Sequence, residues 1–219
     1  MQHLIQKNRL WLRSLRSLRL SQTNIAKEIN YRPQITLPCK SNQLLLVMDG
    51  ARLGAALSSD ASDLTLKDIT ELTDIFWIGG TKAGALIGEA IVIPNEELAR
   101  DFDFHVKQRG GLLAKGRLLG IQFSELFRDD LFFTLTKKSN QIAQKLSTAI
   151  THAGHELAAE TQSNQIFPIL PNIVIEKLKK SFEFYVWEKV DEQKSTIRLV
   201  TSWATDEEQV DAFIQAISA

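Results

Sequence analysis

From residue 43 onward, short continuous apolar runs alternate with stretches of helical period, which is the pattern of an α/β chain. Residues 44–48, 75–78 and 85–93 are apolar and rich in β-branched side chains, and they predict strands of a buried sheet. Leu53–Leu57 predicts a short helix, followed by a polar loop over 58–64. Thr65 stands three positions ahead of Asp68 and opens a further helix in the manner of a capping box, although Asp replaces the usual Glu or Gln. Pro94 ends the third strand, and Asn95 caps a helix whose first turn holds Glu96 and Glu97, as a positive helix N-terminus favours. After Gly110 and Gly111, the side chains Leu118, Leu119, Ile121, Leu126 and Phe127 predict an apolar helix. Residues 131–153 predict a long amphipathic one, with Leu135, Ile142, Leu146, Ala149 and Ile150 inside and Lys137, Lys138 and Lys145 outside, stopped by Gly154.

The remainder reads as α+β. A strand over 166–170, a helix over 172–180, strands over 182–189 and 196–202 joined by a charged turn at 191–195, and a last helix from Asp206 make a second, smaller unit. Trp187 and Trp203 are read as packing residues. The organisation expected is therefore an α/β region over 41–125 and a connector helix with a small α+β domain over 126–219. Residues 1–40 stand apart: Lys7, Arg9, Arg13, Arg16 and Arg19 precede any acid and interleave with leucines. Such a start suits a transit peptide, an interaction helix or a membrane-surface helix, but its charged and apolar faces separate poorly.

Chemistry concentrates where predicted strands end. Lys82 follows Gly79-Gly80-Thr81 on a turn between two strands, and a desolvated lysine loses its proton readily and forms a Schiff base with an aldehyde. Pyridoxal phosphate is the obvious aldehyde. Asp49 ends the first strand, with Arg52 three residues on, and a carboxylate there can hold a pyridine nitrogen protonated. Other glycine-loop chemistries do not fit. A P-loop needs glycine directly before its lysine and a hydroxyl residue directly after, whereas Lys82 lies between Thr81 and Ala83; no glycine cluster has the dinucleotide spacing.

The succession Asp49-Gly-Ala-Arg52, an acidic helix, Gly79-Gly-Thr-Lys82 and Gly84-Ala-Leu-Ile-Gly88 resembles the low-specificity L-threonine aldolases of the β-eliminating-lyase group. The basic, glycine-paired segment 104–117 and the strand Thr196-Ile-Arg198-Leu-Val-Thr-Ser-Trp203 extend the likeness to the C-terminus. The resemblance implies a partial large domain of the fold-type-I aminotransferase kind followed by a small domain, and a pyridoxal-phosphate-dependent lyase that cleaves L-threonine, or a related β-hydroxy-α-amino acid, to glycine and an aldehyde. It implies that Lys82 and Asp49 are catalytic, that Thr81 and Arg52 also touch the cofactor, and that Arg52 and Arg198 bind the substrate carboxylate. Lys115, with Arg109 beside it, becomes a second-tier phosphate contact. Ser202 departs from the histidine that the family often carries there. A related β-eliminating lyase or aminotransferase, or a non-catalytic truncated remnant, remains open. The region before Asp49 is too short for the family's phosphate loop and ring-stacking residue, so a truncated copy with little activity of its own is expected. Complete members are expected to be dimers or tetramers.

Bulk composition adds only boundaries. At 219 residues and 44% apolar the chain can bury one large or two modest cores, and 26 basic against 26 acidic residues give no reason to expect nucleic acid or a membrane surface as a partner. A single cysteine, Cys39, excludes an internal disulfide and suits the cytoplasm. The four histidines lack a metal-ligand pattern, so no metal is expected.

Overall fold

The structure is a computed structural model that describes residues 38–218. The basic start of the chain, up to residue 37, lies outside the described residues. The fold is α/β and has two apolar cores joined by one long helix.

The first core forms around a three-stranded sheet in the order β1 (Val47–Met48), β2 (Ile75–Gly79), β3 (Glu89–Val92), with β1 parallel and β3 antiparallel to β2. Helices α1 (Leu53–Leu57) and α2 (Leu66–Leu72) lie between β1 and β2 in sequence. Helix α2 begins where Thr65 predicts it. The Asp68 backbone N–H donates to Thr65 Oγ1 at 3.3 Å and the Thr65 N–H donates to Asp68 Oδ2 at 2.8 Å, so the shorter acid still closes the box. Leu53, Ile69, Phe76, Ile78 and Phe132 fill this core.

Two expectations for this sheet need correction. Strand β1 is only two residues long, because Leu46 turns its backbone to Asp74: its N–H donates to Asp74 Oδ2 at 2.7 Å, and its carbonyl accepts from Asp74 N at 2.9 Å. Strand β3 starts at Glu89 rather than Ala85. Gly84 and Gly88, at φ 113° and 102°, fold the intervening residues into a turn, and Gln122 Oε1 takes the N–H groups of Leu86 and Ile87 at 2.7 and 3.2 Å in place of a strand ladder. Nor is β3 buried: Glu89 and Ile91 are exposed.

The helix expected after Asn95 is also split. Asp101 takes φ 61° and separates α3 (Glu96–Ala99) from α4 (Phe102–Gln108). Then come α5 (Arg117–Leu126), a 3-10 turn at Arg128–Asp130, and α6 (Leu131–His152). The first turns of α6 place Phe132 in the first core, and Ile142, Leu146 and Ile150 belong to the second. Its inner face is more polar than the pattern suggested. Buried Thr136 and Asn140 reach across to α1, with Thr136 Oγ1 at 2.9 Å from Ser58 Oγ and Asn140 Nδ2 donating to Ala55 O at 2.8 Å. Thr201 Oγ1 donates to the Ser139 carbonyl at 2.7 Å from the other side. One helix thus fixes both units against each other.

The second unit is antiparallel α+β, with strands β4 (Glu156–Leu157), β5 (Gln165–Ile166), β6 (Pro168–Pro171), β7 (Tyr185–Lys189) and β8 (Lys194–Val200). The sheet order is β4-β6-β8-β5, and β7 pairs along β8 as well. The single strand expected over 166–170 is therefore two, separated at Phe167. Helices α7 (Asn172–Leu178) and α8 (Glu207–Ser218) cover the sheet through Ile175, Leu178, Val210, Phe213 and Ile217.

Gly50 is required by close backbone approach. A Cβ there would lie 1.6 Å from the Trp77 carbonyl oxygen, and Gly79 N donates to Gly50 O at 2.9 Å across the same contact. Gly50→Ala must push the β1 turn off β2, a loss we expect at or above the upper end of the ~1–3 kcal/mol typical of overpacking. Urea unfolding midpoints check it; an unchanged midpoint would contradict the packing described.

Candidate active site

Lys82 is the middle residue of a 3-10 turn, Thr81–Ala83, that directly follows β2. The turn closes on one carbonyl: Ala83 N and Ala85 N both donate to Gly80 O, at 2.9 and 3.0 Å, and Gly84 supplies the positive φ that lets the chain reverse. Asp49 follows β1. Because Gly50 and Gly79 are bonded backbone to backbone, the carboxylate turn and the lysine turn are held as one unit.

The Asp49 carboxylate is fixed through one oxygen. Oδ1 accepts from Ala51 N and from the Trp77 indole N–H, both at 3.0 Å, while Asp49 forms no ion pair among the described residues. Oδ2 remains available on an exposed side chain. Trp77 escaped the sequence reading, although the parallel register Val47 to Ile75 and Met48 to Phe76, carried one step further, brings Asp49 beside it.

Arg52 occupies the N-cap position of α1 and is half-buried, and Arg198 reaches the same region from β8. Neither has a carboxylate partner among the described residues, and the Nε of each is buried without a hydrogen bond. Burial lowers the pKa of Arg52, the Arg198 charge lowers it further, and Asp49 opposes both. Lys82 is lowered likewise, first by desolvation and then by the Arg52 charge, against the pull of Asp49 and Glu89. Arg52 and Lys82 thus share one oriented carboxylate, Asp49, and Arg198 adds its charge beside Arg52. A crevice of about 10 Å³, room for a single water, is lined by Arg52 and Lys82 together with Gly54, Thr136, Ser139 and Asn164.

Thr81 stands exposed beside Lys82. Arg109 and Lys115 lie on the exposed segment between α4 and α5, and among the described residues neither pairs with a member of the cluster. The structure therefore brings Arg52 and Lys82 within electrostatic reach of Asp49 and of each other, with Arg198 near Arg52 and Thr81 adjacent to Lys82. Among the described residues no three His, Cys, Asp or Glu side chains gather as a metal site, and no helix is long and apolar enough to cross a membrane.

This electrostatic arrangement has a signed consequence for pH. Capture of an aldehyde by Lys82 requires the neutral amine, so its rate should rise with pH through a pKa below that of an ordinary lysine. Arg52→Gln removes a charge that lowers this pKa and should move the profile to higher pH; Asp49→Asn removes one that raises it and should move the profile lower. Trapping of pyridoxal phosphate on the chain across a pH series measures both. Shifts of the opposite sign would contradict the arrangement.

The β-eliminating lyase family model matches residues 25–171, beginning inside the stretch that the sequence pattern set apart. The low-specificity L-threonine aldolase of Pseudomonas sp. strain NCIMB 10558 is 34% identical over 189 residues, covering 82% of this chain and 53% of the relative. The threonine aldolase structure from Leishmania major is 46% identical with a TM-score of 0.82, over 85% of this chain and 54% of that one. Serine palmitoyltransferase from Sphingomonas wittichii, 13% identical, covers 85% of this chain and 50% of its own with a TM-score of 0.60, and shares the fold. The chain spans about half the length of the curated relatives it matches.

Proposed function

Because the chain belongs to the β-eliminating lyase family, we propose that it carries the lysine, carboxylate and arginines of a pyridoxal-phosphate-dependent lyase of threonine-aldolase type. The substrate is L-threonine or a related β-hydroxy-α-amino acid, and the products are glycine and an aldehyde. The observation that supports this best is the cluster itself: a lysine of lowered pKa, a carboxylate with one oxygen fixed and one available, and two arginines without anionic partners.

These residues fit the cofactor. Lys82 is a reactive amine at a strand end, and Asp49 offers Oδ2 as the acceptor for a ring-nitrogen proton. Bound there, pyridoxal phosphate supplies an electron sink for the bond broken at the substrate α-carbon. Asp49 keeps the ring-nitrogen proton in place, since its negative charge favours the protonated form. Lys82 Nζ, when neutral, is the amine that would hold the cofactor through its aldehyde carbon, with release of water. Arg52 and Arg198 present planar guanidinium groups that grip a carboxylate by paired charge-assisted hydrogen bonds, which orients the substrate. Thr81 would touch the cofactor from the lysine turn, and Lys115, exposed between α4 and α5, is the second-tier candidate for its phosphate. We further propose self-association as a homo-oligomer, supported by exposed apolar side chains such as Leu86, at 91% exposure, Leu112 and Leu118.

Titration of the purified chain with pyridoxal phosphate tests the reading. A new absorbance band displaced from that of the free cofactor is expected, with at most slow release of glycine and acetaldehyde on addition of L-threonine. Absence of the band would contradict the cofactor assignment, and a band with turnover of L-alanine but not L-threonine would favour an aminotransferase-like activity instead.

A further inference from the structure

Strands β7 and β8 pair with a break in register. Val186 stands opposite Ile197 and Glu188 opposite Thr196, so Trp187 is the extra residue of a β-bulge. A bulge re-aims the inserted side chain. Here the Trp187 ring centroid lies 4.9 Å from Cζ of Arg198, and the ring of Tyr185, the residue directly opposite Arg198, lies at 5.1 Å. Both distances fall within the reach of cation–π attraction. Phe167, buried between β5 and β6, meets Trp187 edge-on at 5.5 Å and 72° and supports it from behind.

Packing accounts for these two rings only in part: Trp187 meets Phe167, yet Tyr185 is 69% exposed and Trp187 53%. Their common neighbour is a cation that, among the described residues, has no carboxylate partner and an unbonded Nε. A carboxylate would hold that guanidinium equally well but would also neutralise it. Aromatic faces attract the cation through their quadrupoles and leave its edge and its charge open to an anion.

We infer that Tyr185 and Trp187 form an aromatic clasp that positions Arg198 to receive an amino-acid carboxylate, and that the bulge at Trp187 closes the clasp. The inference rests on the reading of Arg198 as a carboxylate-binding residue. Tyr185 and Trp187 act through Arg198 and are positioning residues. On this inference Trp187, which also packs edge-on against Phe167, joins the site's support.

The test is protection of Arg198 from phenylglyoxal by glycine, followed by peptide mass mapping, in the full chain and without cofactor. In the unaltered chain glycine should slow modification of Arg198. The half-protecting glycine concentration should rise about threefold to fivefold in Tyr185→Leu and in Trp187→Leu, as expected for loss of one cation–π contact at an exposed site, and about tenfold or more in the double variant. Trp187→Phe, which restores an aromatic face, should stay within about twofold of the unaltered chain. Both rings are more than half exposed, so these changes leave the cores intact, which far-UV circular dichroism verifies. An unchanged half-protecting concentration in both single variants would overturn the clasp. Absence of any protection in the unaltered chain would instead overturn the reading of Arg198, and the clasp with it.

Discussion

Lys82→Ala should abolish covalent retention of pyridoxal phosphate and lower any L-threonine cleavage on the order of 10⁴-fold or more, the scale of losing a group that reacts covalently. The fold should survive, because the Lys82 side chain is exposed and makes no hydrogen bond among the described residues. Lys82→Arg is the sharper variant. It keeps the positive charge between Arg52 and Asp49 while removing a deprotonatable amine, so it should be as inactive as the alanine variant. Substantial activity in Lys82→Arg, measured by acetaldehyde release, would show that the residue serves as a charge rather than as a nucleophile.

Asp49→Ala should cost turnover about 10²–10³-fold, comparable with the removal of one preorganised electrostatic partner from a reacting group. Lys82 should still capture cofactor, since the lysine turn closes on Gly80 and does not depend on the Asp49 side chain. The Trp77 indole loses its acceptor at the same time. Trp77→Phe separates the two effects: it leaves the carboxylate in place but frees it to rotate, and should give a smaller loss than Asp49→Ala. Turnover near that of the unaltered chain in Asp49→Ala would refute the role assigned to the carboxylate.

Local signals carried most of the site into view. Asp49, Arg52, Lys82 and Arg198 each sit at or within a strand-like run, beside glycines or in a fixed order, and those are properties of a few neighbouring residues. Their convergence depends on α6. Its polar inner positions, Thr136, Ser139 and Asn140, bind α1 on one side and Thr201 on the other. Those positions interrupt the apolar stripe, so periodicity described the helix and missed the seam that it fastens. The aromatic clasp was hidden for a different reason. Alternation places Tyr185 and Trp187 on one face of β7, but which side chains of β8 they meet depends on a register that the one-residue bulge shifts and that leaves no mark in the segment itself.

The same distinction explains the sheet. Strand β2 is legible because Phe76 and Ile78 are buried on the face that packs against the first core. The apolar run 85–93 misled because Leu86 and Ile87 satisfy their backbone through Gln122, a side chain 35 residues away, and turn outward. A long-range hydrogen bond of that kind overrides local strand preference and cannot be read from the segment itself.

The central claim is that Lys82 is the amine to which the cofactor attaches. Incubating the chain with pyridoxal phosphate, reducing with borohydride and mapping the peptides identifies the modified lysine directly, whether or not the chain turns over substrate. The account predicts a single dominant label on Lys82, lost in Lys82→Arg. Label concentrated on Lys107 or Lys115, with Lys82 unmodified, would contradict it.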